Sequence, residues 1–145
     1  MMDWQKNILE SDAEIRELLQ NTKTIAVVGI KMETYQPAFY VPQYMKTVGY
    51  EIVPVPIYYP DATEILGEKV YRALVDIPQE IDLVNIFRRP NDVANHAEDI
   101  LAKKPKAVWM QSGIRSDEVA ETLAKAGIKV VQDSCLMVEH RTLMR

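Results

Sequence analysis

The chain has 145 residues, 48% apolar and 26% charged, a size and balance that suit one folded domain and exclude a fibrous or disordered polymer. A formal net charge of −4 argues against nucleic acid or an anionic membrane as the main partner. The single cysteine, Cys135, excludes an internal disulfide, and no apolar run approaches the roughly 20 residues of a membrane span, so a reducing, cytoplasmic location is expected.

Ser11-Asp12-Ala13-Glu14 is a capping-box sequence, and Ile15, Leu18 and Leu19 mark one face of a helix ending near Gln20. Residues 1–22 are expected to form a leading helix packed on a domain that spans 1–145, serving packing rather than chemistry. Thr24-Ile25-Ala26-Val27-Val28 is a short apolar run closed by Gly29, the pattern of a central strand buried on both faces. A polar loop follows, and then Val41, Tyr44, Met45 and Val48 form a helical stripe capped by Gly49. Only one of Pro37 and Pro42 can occupy the first helical position, so an irregular helix start is expected.

Tyr50–Val55 reads as a second strand ended by Pro54 and Pro56, and Lys69-Val70-Tyr71 as a short edge strand. Asp82–Phe87 is a further strand, stopped by Arg88-Arg89-Pro90. A helix from about Asn91 follows, with Val93, Ala97, Ile100 and Leu101 inward. Ala107–Gln111 is a strand, Ser116 caps a helix carrying Val119, Leu123 and Ala126, and Ile128–Gln132 is the last strand. Asp133-Ser134 is placed to cap a terminal helix beginning near Leu136.

Strands alternating with helices imply right-handed crossovers. The expected fold is a single-domain, Rossmann-like α/β fold: a doubly wound, mostly parallel sheet with helices on both faces. With 69–71 as strand three and 82–87 as strand four, the expected order is 3-2-1-4-5. A ligand crevice then lies at the carboxyl ends of strands one and four, where Gly29-Ile30-Lys31 and Phe87-Arg88-Arg89 stand.

The dinucleotide fingerprint needs three glycines, and only Gly29 is present, which argues against NAD. Arg88 and Arg89 fit either a phosphate clamp or a solvated pair at the sheet rim, and Phe87 beside them fits a base-stacking platform. Lys31 is either a second cation in the crevice or an exposed loop lysine. Cys135, near a helix start, is read as structural more readily than as a nucleophile, since His140 lies five residues on, off its helical face. His96 is expected at the surface. Two distant histidines and one cysteine give no zinc pattern, and no carboxylate pair suggests acid–base work, so no catalytic or metal residue is assigned.

Five segments in order resemble the short bacterial and archaeal CoA-binding proteins, which are similar to the N-terminal domain of the succinyl-CoA synthetase α subunit. They are Ile25–Gly29, Glu64–Tyr71, Asp82–Pro90, Val108–Ile114 and Asp133–His140. The resemblance implies a Rossmann-like fold. It implies that Gly29 and the loop after it, with Ile30, Lys31, Gln36 and Pro37, face the phosphates of CoA or acyl-CoA. It also implies that Val55, Pro56, Phe87 and Arg88 flank the nucleotide. The family's usual serine after the first glycine, its Arg-Pro-Ser-Tyr and its Asn-Pro are replaced here by Lys31, Gln36-Pro37-Ala38-Phe39 and Pro56-Ile57. Lys31 restores the lost charge, or the pocket has drifted to another ligand or to none. The first reading is a non-catalytic module for CoA, acyl-CoA or a related adenine nucleotide. The second is a protein-interaction module with a degenerate crevice, suggested by Tyr35, Tyr58 and Tyr59.

Overall fold

A computed structural model describes residues 3–144. Strands β1 (Thr24–Val28), β2 (Glu51–Val55), β5 (Leu83–Ile86), β6 (Ala107–Met110) and β7 (Lys129–Val131) form one parallel sheet in the order β2-β1-β5-β6-β7. Helices α1 (Asp12–Gln20), α2 (Pro37–Thr47), α3 (Ala97–Lys103), α4 (Asp117–Lys125) and α5 (Leu136–Leu143) cover it. Side-chain alternation along β1 divides the core. Ala26 and Val28 pack with Ile100, Val119 and Leu123, under α3 and α4. Ile25 and Val27 pack with Leu19, Val41, Met45 and Leu136, under α1, α2 and α5. The expected Rossmann-like α/β sheet is the observed one. Among the described residues no helix is long and apolar enough to cross a membrane.

The expected edge strand at 69–71 is not in this sheet. Glu64–Ile65 (β3) and Glu68–Lys69 (β4) pair with each other as a separate antiparallel hairpin. Leu66 and Gly67 turn it with φ of 57° and 76°, both left-handed, as a two-residue hairpin of this twist requires. That turn folds the segment back on itself instead of running it along β2. Ile65 packs into the core beside Ile52, and Tyr71 bonds to the sheet, its N–H donating to Pro54 O at 3.0 Å. Pro54 lies inside β2, not at its end. It is tolerated because β2 is the outer strand and the missing N–H would point outward, beside the carbonyl that Tyr71 uses.

The opposite border, β7, is lined by the segment before α1. Leu9 N–H donates to Val130 O at 2.8 Å, and Asn7 Nδ2 to Ala124 O at 2.9 Å. The Ser11–Glu14 capping box then starts α1, and Arg16 Nε ties that helix to Leu143 O at 3.0 Å. At the amino ends of β1 and β5, Asp82 Oδ2 accepts the Lys23 and Thr24 amides at 2.8 and 3.2 Å, and its Oδ1 lies 3.2 Å from Lys106 Nζ.

Helix α2 begins at Pro37, its first residue, and carries Pro42 in its interior. Pro42 has no N–H for the carbonyl four residues back, Ala38 O. That carbonyl instead accepts the Lys31 N–H at 3.2 Å, which ties the loop after β1 to the helix. The expected helix from Asn91 is a 3-10 turn over Pro90–His96 that becomes α-helical only at Ala97. In α4, Ala120 and Ala124 face the core and Ala126 is exposed. Helix α5 is not capped by Asp133 or Ser134. Cys135 holds the cap position, and Gln111 Oε1 accepts the Leu136 N–H at 3.0 Å.

Candidate functional site

A cavity of about 740 Å³ opens at the carboxyl ends of β1 and β5, where the chain leaves the sheet toward opposite faces. Its floor is the contact between Gly29 and Phe87. Phe87 N–H donates to Val28 O at 2.9 Å, and Gly29 N–H donates to Val55 O at 2.9 Å. Gly29 has a φ of 86°, and a Cβ there would lie 2.2 Å from Phe87 O. Only glycine fits that conformation and that approach.

Gln36, Pro37 and Ala38, the start of α2, form one wall. No side chain caps this helix and its first turn holds no acid, so its positive dipole end meets the cavity undiminished. Cys135, at the start of α5, lines the cavity too. Beside it Gln111, 4% exposed, accepts from both Leu136 N–H and Asn85 Nδ2. Asn85 is fully buried, and its Oδ1 has no hydrogen-bond partner among the described residues.

Three cations line the cavity in different states. Lys31 Nζ sits 4.5 Å from the centre of the Tyr58 ring, in cation–π contact. Arg88, its side chain 16% exposed, donates from Nε to His96 Nε2 at 3.1 Å and places Nη2 3.8 Å from Asp92 Oδ2. Arg89, 86% exposed, reaches the same Asp92 oxygen at 3.0 Å. The two arginines, both past the end of β5, thus share one carboxylate oxygen and differ in exposure. His96 is half-buried, not at the surface. Burial and the Arg88 charge hold its imidazole below the usual range, against the opposite pull of Asp99 and Asp92.

The mouth is braced by polar contacts. Met32 N–H donates to Tyr59 Oη at 3.2 Å, and the Tyr59 hydroxyl donates to the Glu33 carboxylate. That hydroxyl contact holds the Glu33 carboxyl below the usual range. Burial and the same bond push the Tyr59 hydroxyl up. Tyr59 is therefore half-buried and engaged, unlike exposed Tyr35 and Tyr58. Arg72 fixes the Tyr58–Ala62 loop by donating to the carbonyls of Tyr58, Tyr59 and Ala62 at 3.0, 2.6 and 3.1 Å.

Of the residues named from sequence, Gly29, Lys31, Gln36, Pro37, Phe87, Arg88 and Arg89 line this cavity. Ile30, Val55 and Pro56 do not. Ile30 and Val55 turn into the core, 1% and 3% exposed, and Pro56 is buried. A strand end marks a place, but alternation decides which side chain faces the opening. Tyr40, Ile57, Gln111, Ser112 and Ile114 also line it and were not singled out by sequence. The polar residues Gln111-Ser112 after the apolar run 107–110 were the available signal. Among the described residues no group of acidic, histidine or cysteine side chains is arranged to hold a metal.

A family model described as CoA binding domain matches residues 23–141. The chain is 38% identical over 130 residues to Bacillus subtilis (strain 168) YneT, described as an uncharacterized protein, covering 90% of this chain and 94% of that one. The structure of cell-free ID.343 from Thermus thermophilus is 41% identical, with a TM-score of 0.85 over 92% of this chain and 99% of that one. A hypothetical protein from Pyrococcus horikoshii OT3 is 33% identical, with a TM-score of 0.87 over 94% of each chain.

Proposed function

The chain belongs to the CoA binding domain family, and from that membership we propose that it is a non-catalytic module binding CoA, acyl-CoA or a related adenine nucleotide. The observation that carries the reading is the cavity at the carboxyl ends of β1 and β5, where the α2 N-terminus, Lys31 and Arg88 meet. Phosphate groups are drawn to such a place. Helix N-termini present N–H donors and partial positive charge, and arginine adds fixed charge and paired donors. Gly29 lets the backbone approach a phosphate closely. Lys31 exchanges its Tyr58 contact for a phosphate oxygen. Phe87 offers a flat apolar surface for a base. The apolar wall of Ile57, Tyr58 and Ile114 suits the uncharged arm of CoA.

Catalysis is not part of the reading. His96 is bonded to Arg88 and His140 to Tyr44, so neither imidazole activates Cys135. Calorimetric titration with CoA, acetyl-CoA, NAD, NADP, ATP and ADP tests the proposal. CoA or acetyl-CoA is expected to bind more tightly than NAD. A millimolar site still gives about 4 kcal/mol of binding, so no heat and no thermal shift with any of these at millimolar concentration overturns it. A second reading, a protein-docking role for this rim, has one observation in its favour. Met32, Tyr35, Ile57 and Tyr58 on the two loops at the mouth, and Tyr40 in the first turn of α2, are 36–75% exposed. One stoichiometric protein partner captured without nucleotide would favour it.

A further inference from the structure

Arg88 is expected to meet the phosphates, yet three groups of the protein already surround it. Its Cδ lies 3.4 Å from where a Gly29 Cβ would stand, so its stem rests on the cavity floor. Its Nε donates to His96 Nε2 at 3.1 Å, and its Nη2 is 3.8 Å from Asp92 Oδ2. Among the described residues no acceptor takes the Nη1 donors. One edge of the guanidinium is therefore held by the protein, and its far end remains for a ligand. An unrestrained arginine would lose rotamer freedom on binding, and a held one has already lost it.

We propose that His96 is a positioning residue that fixes the Arg88 guanidinium for an anionic ligand in the cavity, an inference that rests on the nucleotide-binding reading above. The contact defines the imidazole. Nε2 must offer its lone pair, so the ring proton resides on Nδ1. Burial and the Arg88 charge favour this neutral form, while Asp92 and Asp99 oppose it. Asp99 is committed elsewhere, accepting the Leu74 and Val75 amides at 2.7 and 3.1 Å. The 3-10 turn over Pro90–His96 returns the imidazole to the side chain that precedes the turn. Sequence distance gave no sign of this pairing.

The test is a double-mutant cycle on the full chain, read as CoA affinity by calorimetry, with thermal melts as a check on folding. Arg88→Ala is expected to weaken CoA binding by about 10- to 150-fold. His96→Leu is expected to weaken it by about 3- to 10-fold. His96→Gln, which keeps a neutral acceptor, should bind like the parent. In the Arg88→Ala background, His96→Leu should cause no further loss. An Arg88→Ala protein that binds like the parent refutes the role of Arg88 itself. A weakened Arg88→Ala protein beside an unchanged His96→Leu protein overturns only the positioning role. Equal losses from His96→Leu in both backgrounds overturn it as well. If the leucine variant does not fold, nitrogen NMR of the unaltered protein decides. An Nδ1–H tautomer of His96 supports the assignment, and an Nε2–H tautomer or a charged ring at pH 7 overturns it.

Discussion

Gly29→Ala strikes the contact that forms the cavity floor. The added Cβ would stand 2.2 Å from Phe87 O and 3.0 Å from Phe87 C, both backbone atoms that cannot rotate away. Carbon and oxygen meet without strain at about 3.3 Å, so the ends of β1 and β5 must part by about 1 Å. The hydrogen bond from Phe87 N–H to Val28 O, 2.9 Å long, opposes that movement. A left-handed backbone costs a non-glycine residue about 1–2 kcal/mol. Forced separation of packed elements adds about 1–3 kcal/mol. Gly127 separates the two costs, because it has the same φ of 86° and, beyond its own chain neighbours, no described atom lies within 4 Å of where its Cβ would stand. Urea denaturation followed by circular dichroism should show Gly29→Ala losing about 1–3 kcal/mol more than Gly127→Ala. CoA affinity should fall only in the Gly29 variant. Equal stability losses in the two variants would refute the claim that the Phe87 carbonyl forbids a side chain at this position.

Three further outcomes follow from contacts already described. Burial raises the Asp82 pKa, but the Lys23 and Thr24 amides and Lys106 outweigh it and leave the carboxyl below the ordinary range. Its stabilisation is therefore full above the unfolded carboxylate pKa and is lost as pH falls through the folded one. Asp82→Asn should cost about 1–3 kcal/mol at pH 7, a deficit that shrinks below about pH 4; a deficit independent of pH contradicts the assignment. Gln111→Leu strands the Leu136 amide in the interior and leaves Asn85 Nδ2 with Trp109 O alone, at 3.4 Å, and should cost about 1–3 kcal/mol, with Gln111→Glu less damaging; a leucine variant that melts like the parent removes Gln111 as the cap of α5. Arg72→Ala releases three loop carbonyls and should speed amide exchange at Ala62, whose N–H donates to Tyr59 O at 3.0 Å; unchanged exchange would mean the loop holds itself.

The sheet was legible because its strands are buried on both faces and read as apolar runs closed by glycine or polar residues, as in Thr24–Gly29. The location of the cavity followed from topology alone, since Gly29 and Arg88 end adjacent strands. Side-chain direction did not follow. Ile30 and Val55 occupy the right strand ends and still face inward. Contacts between loops were equally hidden. Nothing in the local pattern pairs Arg88 with His96, Tyr59 with Glu33, or Gln111 with the amide of Leu136. The hairpin at 64–69 was missed for a different reason: its turn uses Leu66 at positive φ, a conformation seldom adopted by leucine.

The two borders of the sheet bear on how this protein behaves in a crowd of its own copies. An open strand edge is a template on which another chain can add a strand. At β2 the interior proline removes a donor and Tyr71 takes the neighbouring carbonyl. At β7 the carbonyl of Val130 is already used by Leu9. At β2 part of the protection is covalent, since the proline removes a donor outright, whereas at β7 all of it rests on the hydrogen bonds and packing of a short segment. Self-association, when it comes, should begin at β7 and be governed by how often residues 4–9 detach, well before the fold as a whole is lost.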